Sequence, residues 1–276
     1  KKIFNKNILF SKSSKADVIL FLINRGFLMF LSPLLITQIA IATLIFKYLN
    51  SVEWLSEGMY ISFPKTIVVL FFTIFIFLLD DFTKYFVHRW MHKWPILWSL
   101  HKVHHSAETL TPMTIYRTHP LEGIVFTLRG SLTQGFSIAT FVFFFGDKVD
   151  LLTVIGVNII VFSFNVAGSN LRHSHISIRY WKWVEHIFIS PAQHQLHHSL
   201  AEEHHDKNFG ASLAIWDWIF GSLHYSEDID DLTLGVEDGF GNSLKSLYLK
   251  PIIEIFLIMR NYLLKRRKIK LFNFKQ

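Results

Sequence analysis

Three short clusters of histidine place the strongest constraint on how this chain folds. Within each cluster the histidines stand three or four residues apart, which puts their side chains on one face of a helix. We therefore expect each cluster to direct its imidazoles to one point. The eight residues are His88, His92, His101, His104, His105, His194, His197 and His198. About ninety residues separate the second cluster from the third, so the fold must bring two distant segments together around one site.

Eight clustered histidines predict a metal centre. Neutral imidazole is a common ligand of zinc, copper, iron and nickel, whereas a buried imidazole without a partner would cost about 1 to 3 kcal/mol. Structural zinc takes four ligands and catalytic zinc takes three from the protein, so eight or more ligands predict two ions with four or more each. Such ions, with an open position, suit iron that reacts with O2, and zinc is an expected substitute in purified protein. The absence of cysteine excludes thiolate ligands.

Apolar residues are concentrated in four segments, 26–46, 66–79, 121–145 and 151–168. A helix of about 20 apolar residues crosses the hydrocarbon core of a bilayer, which suits the first and fourth segments. The second segment is short by this measure, and the third contains two charged residues. We therefore predict an all-α membrane protein with about four transmembrane helices.

The second apolar segment continues directly into the first histidine cluster. Residues Thr66 to His92 contain no glycine, and Pro64 stands where proline suits a first helical turn. This predicts one long helix that leaves the membrane and carries His88 and His92 in its extension. Pro95 is expected to end it.

The charge distribution predicts which side of the membrane holds the histidines. The net charge is +7, and the N-terminal segment 1–16 contains five lysines and no acid. The positive-inside rule then places both termini, residues 80–120 and everything after 169 in the cytosol. All three clusters fall on this face, within a cytosolic helical cap. The basic C-terminal segment 251–276 is expected to be a helix with a basic tail, either solvated or bound to anionic lipid.

Two further expectations come from composition. No linker or repeat divides the chain, so 1–276 is predicted to be a single domain. Basic residues alternate with apolar segments, which argues against nucleic acid as a partner. Frequent Lys, Ile, Asn and Phe are typical of an AT-rich genome and favour a bacterial inner membrane over the endoplasmic reticulum.

Five stretches of the sequence carry a family resemblance. They are Asp81–His92, Leu97–Ser106, Ser190–Ser199, Asp206–Gly210 and Trp216–Gly221. Across about 66–225 the chain resembles the fatty acid hydroxylase and sterol desaturase superfamily of membrane di-iron oxygenases. The resemblance implies four membrane helices capped by a cytosolic helical domain that holds two irons. It also implies that one oxygen atom of O2 is inserted into a lipid C–H bond, or that the lipid is desaturated. The electrons would come from a separate donor, either a cytochrome b5-like protein or a ferredoxin with its reductase.

The same resemblance extends the ligand set to two more histidines. His173 stands 21 residues before His194, where the family places a ligand after the fourth span. His119, in the sequence Arg-Thr-His-Pro, matches a histidine of many but not all branches. The remaining histidines are expected to have structural or solvated roles, and they are His186, His204, His205 and His224.

Carboxylates near the clusters are candidates for orienting the ligands. A metal-bound imidazole commonly donates its second N–H to a carboxylate or a carbonyl, and Asp81, Glu108 and Asp217 stand close to the clusters in sequence. An isolated acid more often has a solvated or capping role. His175 is left open as a ligand, a residue that supports a ligand, or a surface group, because many relatives have asparagine there.

A membrane metal transporter or metal-binding protein is the alternative from another class. Such a protein needs ligands inside its spans, along the path of the ion. Here the predicted spans contain almost no histidine or carboxylate, and the clusters stand at their ends. The sequence therefore favours the oxygenase.

Overall fold

A computed structural model gives the fold of the chain. It describes residues 5–30, 34–150, 152–156, 162–163, 171–227, 232–237 and 239–273. The regular secondary structure of these residues is helical, with two isolated bridges and no strand. The helices are α1 Lys6–Leu9, α2 Lys12–Phe30, α3 Leu34–Asn50, α4 Lys65–Lys93, α5 Pro95–His105, α6 Pro120–Phe145, α7 Lys182–Glu185, α8 Pro191–His197, α9 Ile215–Ile219 and α10 Leu244–Asn273. Short 3-10 turns lie at Thr114–Tyr116, Gly146–Lys148 and Glu202–His204.

The long helix predicted over 66–92 is confirmed as α4. It has 29 residues, which gives a length of about 43 Å. Trp94 follows it in an extended conformation, as expected for a residue before proline, and Pro95 begins α5. Among the described residues, α4 is the one helix that is long and apolar enough to cross a membrane.

The other predicted spans have different outcomes. The described part of 26–46 belongs to α2 (Lys12–Phe30) and α3 (Leu34–Asn50), and residues 31–33 lie outside the described residues, so the single span predicted there stays a prediction. The third predicted span coincides with α6. Most of 151–168 lies outside the described residues. The parts of this segment that are described, 152–156 and 162–163, are helical. Four transmembrane helices therefore remain a prediction.

Both ends of the chain differ from the predicted tails. Residues of the expected basic tail 1–16 form α1 and the start of α2, where Ser14 and Ala16 are buried. The Ser14 hydroxyl lies 3.3 Å from that of Thr109, which draws α2 against the loop after α5. At the other end α10 begins at Leu244, so Pro251 lies inside the helix and not at its start.

Two apolar clusters hold the helices that carry the histidines. In the first, Val68, Phe72 and Ile76 of α4 pack against Phe141 of α6. In the second, side chains of α2 and α10 enclose Val103 on α5. These contacts hold α4 and α5, the two helices that carry five of the clustered histidines.

Buried ion pairs explain charged residues in apolar surroundings. Arg117 is fully buried and donates to Asp17 Oδ1 at 3.0 Å and to the Ser106 hydroxyl at 2.9 Å, joining α2 to the end of α5. Arg129, one of the charged residues in the third predicted span, donates to Asp80 Oδ1 at 2.8 Å. The charge of Arg129 therefore ties α6 to α4.

Candidate metal centre

The structure brings nine histidines together in two adjacent groups. Within each group, one ring nitrogen from every residue lies within 4.8 Å of the others. The five-histidine group consists of His88, His92, His101, His105 and His197. The four-histidine group consists of His104, His173, His194 and His198. All eight cluster histidines and His173 therefore converge, although distant parts of the chain supply them.

Neighbouring histidines on one helix belong to different groups. On α5, His101 and His105 enter the five-histidine group, whereas His104 enters the other. On α8 and its C-terminal cap, His194 and His198 share a group and His197 does not. Successive residues of a helix are rotated by about 100°, so adjacent side chains diverge. The expectation that each cluster points to one site is wrong for these two clusters.

Three rings of the five-histidine group are anchored through their outer nitrogen. His88 Nδ1 donates to the Phe209 carbonyl and His197 Nδ1 to the Lys207 carbonyl, each at 2.7 Å. His101 Nδ1 lies 2.7 Å from Glu122 Oε1. A carbonyl oxygen can only accept, so the rings of His88 and His197 carry their proton on Nδ1. The Nε2 lone pair is then available to a metal.

The inner nitrogens stand at the spacing of ligands on one ion. His197 Nε2 lies 3.0 Å from His88 Nε2, although both atoms present lone pairs, and a cation between them removes the repulsion. In the other group, His173 Nε2 lies 3.1 Å from His104 Nε2 and 2.9 Å from His194 Nε2. Nitrogens about 2.0 to 2.1 Å from a metal and at right angles lie about 2.9 Å apart. The residues fit two metal ions.

Burial supports the same conclusion. It lowers the pKa of the histidines on α5 and α8 well below the usual value, so their rings are neutral at pH 7, the form that binds metal. These residues are His101, His104, His105, His194, His197 and His198. Among the described residues, both nitrogens of His198 and the Nε2 atoms of His92 and His105 are buried without a hydrogen-bond partner. A metal ion would satisfy one nitrogen of each of these rings, so the second nitrogen of His198 stays without a partner among the described residues.

Of the acids predicted to orient ligands, Asp217 acts on one ligand through the backbone, and Asp81 links two parts of the fold. Asp217 accepts from the N–H groups of Phe209 and Gly210 at 2.8 and 2.7 Å, which holds the carbonyl that anchors His88. Burial raises the pKa of Asp217 to about 6. Asp81 accepts from the Leu213 N–H and the Trp216 indole at 3.0 Å each, so it ties the segment before α9 to α4 and contacts no ligand ring.

Three other predicted site residues lie outside both groups. His119 caps α6 through Nδ1, which accepts from the Leu121 N–H at 3.2 Å, and its Nε2 lies 3.2 Å from the Tyr248 carbonyl. Its nitrogens are thus engaged elsewhere, which corrects the ligand role expected for it. Glu108 is exposed, and His175 lies beside it at a small cavity.

Glu122 is the site residue that the sequence did not identify. It is 1% exposed, and its carboxylate accepts from a ligand ring, that of His101. In the sequence it appeared only as an acid that weakened the third apolar segment. An acid in the first turn of an otherwise apolar helix was the available signal, because such a residue must find a buried partner.

Two cavities reach the centre. One, of about 310 Å³, borders ligands of both groups, and most of its surface is apolar, including that of Ile115 and Phe126, although Lys84, Glu122 and Arg172 also line it. The second, of about 330 Å³, borders the five-histidine group and is lined by polar residues such as Lys102 and Asp206 and by apolar ones such as Trp98. The centre can therefore be approached through a mainly apolar cavity and through one of mixed polarity.

Comparisons with known proteins give a consistent family. Alkylglycerol monooxygenase of Danio rerio is 30% identical over 165 residues, which cover 60% of this chain and 33% of that protein. Lathosterol oxidase of Homo sapiens is 28% identical over 163 residues, covering 59% and 48%. Ornithine lipid hydroxylase OlsE of Rhizobium tropici is 25% identical over 144 residues, covering 52% and 39%. The matches thus span between a third and a half of these relatives. No solved structure matches the chain.

The family model for fatty acid hydroxylases matches residues 73–222. This range contains all nine grouped histidines, together with Glu122, Asp217 and the two anchoring carbonyls. It also covers more than half of the chain. The chain therefore belongs to the fatty acid hydroxylase family.

Proposed function

We propose that the protein is a membrane-bound di-iron oxygenase that hydroxylates a C–H bond of a lipid with O2. The observation that carries this proposal is the pair of adjacent histidine groups beside one apolar cavity. The overall reaction consumes O2, two electrons and two protons, converts the C–H bond to C–OH and releases water. The electrons come from a separate donor protein, either cytochrome b5-like or a ferredoxin with its reductase.

The five-histidine group favours iron over zinc. Tetrahedral zinc needs four protein ligands at most, whereas this group offers five imidazoles, and the four-histidine group would suit either metal. Two iron ions held by these residues would supply the redox chemistry that activates O2. Zinc is expected to replace iron in some purified preparations.

The chain's own residues would bind the lipid and exclude water. Ile115 and Phe126 line the apolar cavity together with three ligands, His88, His101 and His104. A lipid segment in this cavity would lie against both groups at once, and its presence would keep water away from the reacting carbon. Relatives named for alkylglycerol, lathosterol and ornithine lipid favour a lipid substrate. Desaturation would use the same cavity.

The first half of α4 supports a membrane setting. Leu70, Phe71 and Ile74 are about half exposed on this helix, so a bilayer would cover them at no cost in free energy. We propose four transmembrane helices with the centre and both termini on the cytosolic side, and a bacterial inner membrane as the location. The lipid would then enter the cavity from the bilayer. A transport function would need ligands along a transmembrane path, which the two compact groups do not favour.

The test is product formation by the full chain in membranes. Cells that express the protein are supplied with isotopically labelled O2, and their lipids are analysed by mass spectrometry. We expect a lipid that carries one labelled oxygen with the native chain and with His186→Ala, whose ring lies outside both groups, but not with His105→Ala. Metal analysis should give iron in the native protein. An unchanged lipid profile in the presence of an active donor would overturn the proposal.

A further inference from the structure

A third cluster of metal-ligating side chains lies outside both histidine groups. His204 ends the 3-10 turn Glu202–His204, and His224 and Glu227 stand on the loop after α9. One ligand atom from each of the three residues lies within 4.8 Å of the others. We propose that these residues form a third metal site, separate from the nine-histidine centre, for a divalent cation that prefers imidazole, such as zinc.

The burial of His204 is the main observation that supports this site. The sequence predicts a solvated loop for it, yet the residue is only 5% exposed, while the adjacent His205 is exposed. Its Nδ1 atom is buried and has no hydrogen-bond partner among the described residues. A buried polar atom without a partner destabilises the fold. A cation bound through Nδ1 of His204 would remove that cost.

A simple ion pair does not account for the cluster. His224 Nε2 donates to Glu227 Oε1 at 2.9 Å, which would satisfy these two residues on their own. The ion pair gives no partner to the buried Nδ1 atom of His204. The His204 and His224 rings are nevertheless close, with their centroids 5.4 Å apart and their planes at 70°. A metal ion would engage all three side chains, with the two imidazoles and the carboxylate as its ligands.

The donor set suits zinc with one open position. Two imidazoles and one carboxylate match the three-ligand zinc sites that keep a water as fourth ligand. The Glu227 side chain is 57% exposed, and that of His224 is 24% exposed. An ion here would exchange with the solution far more readily than ions held by the buried groups.

The proposed site connects two loops that support the main centre. The loop that follows His204 provides the Lys207 and Phe209 carbonyls, which orient His197 and His88. The His224 N–H already donates to Asn208 Oδ1 at 2.8 Å. A cation shared by His204 and His224 would add a second link between these loops. It would therefore stabilise the carbonyl positions without contacting any ligand of the main centre.

The test counts metal ions in the full chain in detergent. Native protein and variants are dialysed against excess Zn²⁺ and then against buffer in which a weak chelator binds the Zn²⁺. The number of metal ions per chain is then measured by mass spectrometry. We expect His224→Ala and Glu227→Gln to contain one ion fewer per chain than native protein. Zinc titration of Glu227→Gln should show at least tenfold weaker binding of that ion. The matched control is Glu203→Gln, which removes an exposed acid next to His204 and should keep the ion.

Each outcome has a defined meaning. Equal metal content in the native protein and Glu227→Gln would overturn the third site, as would loss of the same ion in Glu203→Gln, which would indicate only an acidic surface. Because Glu227 is exposed, its variant is expected to fold even where His224→Ala does not. Failure of the proposed oxygenase would instead appear as missing iron or missing product, with the exchangeable zinc ion still present.

Discussion

The two histidine groups differ in how their rings are held. In the five-histidine group, the outer nitrogens of His88, His101 and His197 meet two backbone carbonyls and one carboxylate, each at 2.7 Å. In the four-histidine group, the Nδ1 atoms of His194 and His198 are buried without a hydrogen-bond partner among the described residues. The first group is therefore arranged before metal binds, whereas the second depends more on packing and on the ion itself.

This difference predicts unequal metal affinities. Partners that fix a ligand's tautomer and orientation typically account for 10- to 100-fold in metal affinity. We therefore expect a chelator to remove the ion of the four-histidine group first, and the ion of the five-histidine group at higher concentration. A purified sample with one ion per chain would then have it in the five-histidine group.

Substitution of adjacent histidines on α5 should have the largest effect. His104→Ala removes a ligand of the four-histidine group, and His105→Ala removes one of the five-histidine group. We expect each variant to lose one ion of the centre and all hydroxylation, because the proposed reaction uses both ions to activate O2. Metal per chain and labelled product measure the two effects.

The remaining ion distinguishes the two variants. His104→Ala should keep the ion of the five-histidine group, which resists chelation. His105→Ala should keep the ion of the four-histidine group, which a chelator removes more easily. Loss of both ions in either variant would mean that the groups bind metal as one unit, and the comparison between them would no longer hold.

Glu122→Gln should have the next largest effect. The amide is a weaker acceptor than the carboxylate that His101 Nδ1 now meets, so the affinity of the five-histidine group should fall about 10- to 100-fold. Chelator titration in a His104→Ala background isolates this ion. Glu108→Gln is the control, because Glu108 is exposed and its substitution should not change the titration. An unchanged midpoint in Glu122→Gln would show that the anchor contributes nothing.

The sequence predicted which histidines converge better than their distribution between the two groups. Spacings of three and four residues were enough to single out eight histidines that the fold brings together, because histidine clusters have few other uses. The assignment of His104 and His105 to different groups was not available from spacing, since it depends on how α5 is rotated against α4 and α8. That rotation is fixed by distant contacts such as those of Val103 in the second apolar cluster.

The groups that accept from His88, His101 and His197 show why other parts of the site could not be predicted from the sequence. Two of the three are backbone carbonyls, of Lys207 and Phe209, and any residue type can provide a carbonyl. The third, Glu122, is distant in sequence from the ring that it contacts. His119 was predicted as a ligand from resemblance, but its position at the start of α6 gives its Nδ1 a capping role. Local pattern identifies ligand chemistry, while tertiary packing decides which partner each group meets.

A substitution in the apolar cavity should affect turnover without affecting either ion. A Cβ at Gly123 would meet no heavy atom within 4 Å, and the residue lines the cavity that borders both groups. Gly123→Leu should fill part of this space and lower the rate with a long-chain lipid about tenfold. The helix itself should be slightly more stable, because glycine is a poor helix former. The control measurement is metal content, which should equal that of native protein. Loss of one ion would mean that the substitution disturbs a ligand group and not only the cavity.

The smallest effect is expected from Asp217→Asn, which acts on the five-histidine group through one intermediate. Asp217 accepts from the Phe209 and Gly210 N–H groups and so holds the carbonyl that anchors His88. An amide can accept only through its oxygen, so one of these N–H groups loses its partner. Loss of one such hydrogen bond, about 1 kcal/mol, corresponds to roughly fivefold weaker affinity in the His104→Ala background. Asp206→Asn is the control, because it makes the same change on the same loop. The Asp206 side chain pairs with Lys93 at the surface, where ion pairs contribute little to stability. Equal chelator midpoints for the two variants would mean that the Phe209 carbonyl keeps its position without Asp217, because the ring of His88 and its ion are then enough to hold it.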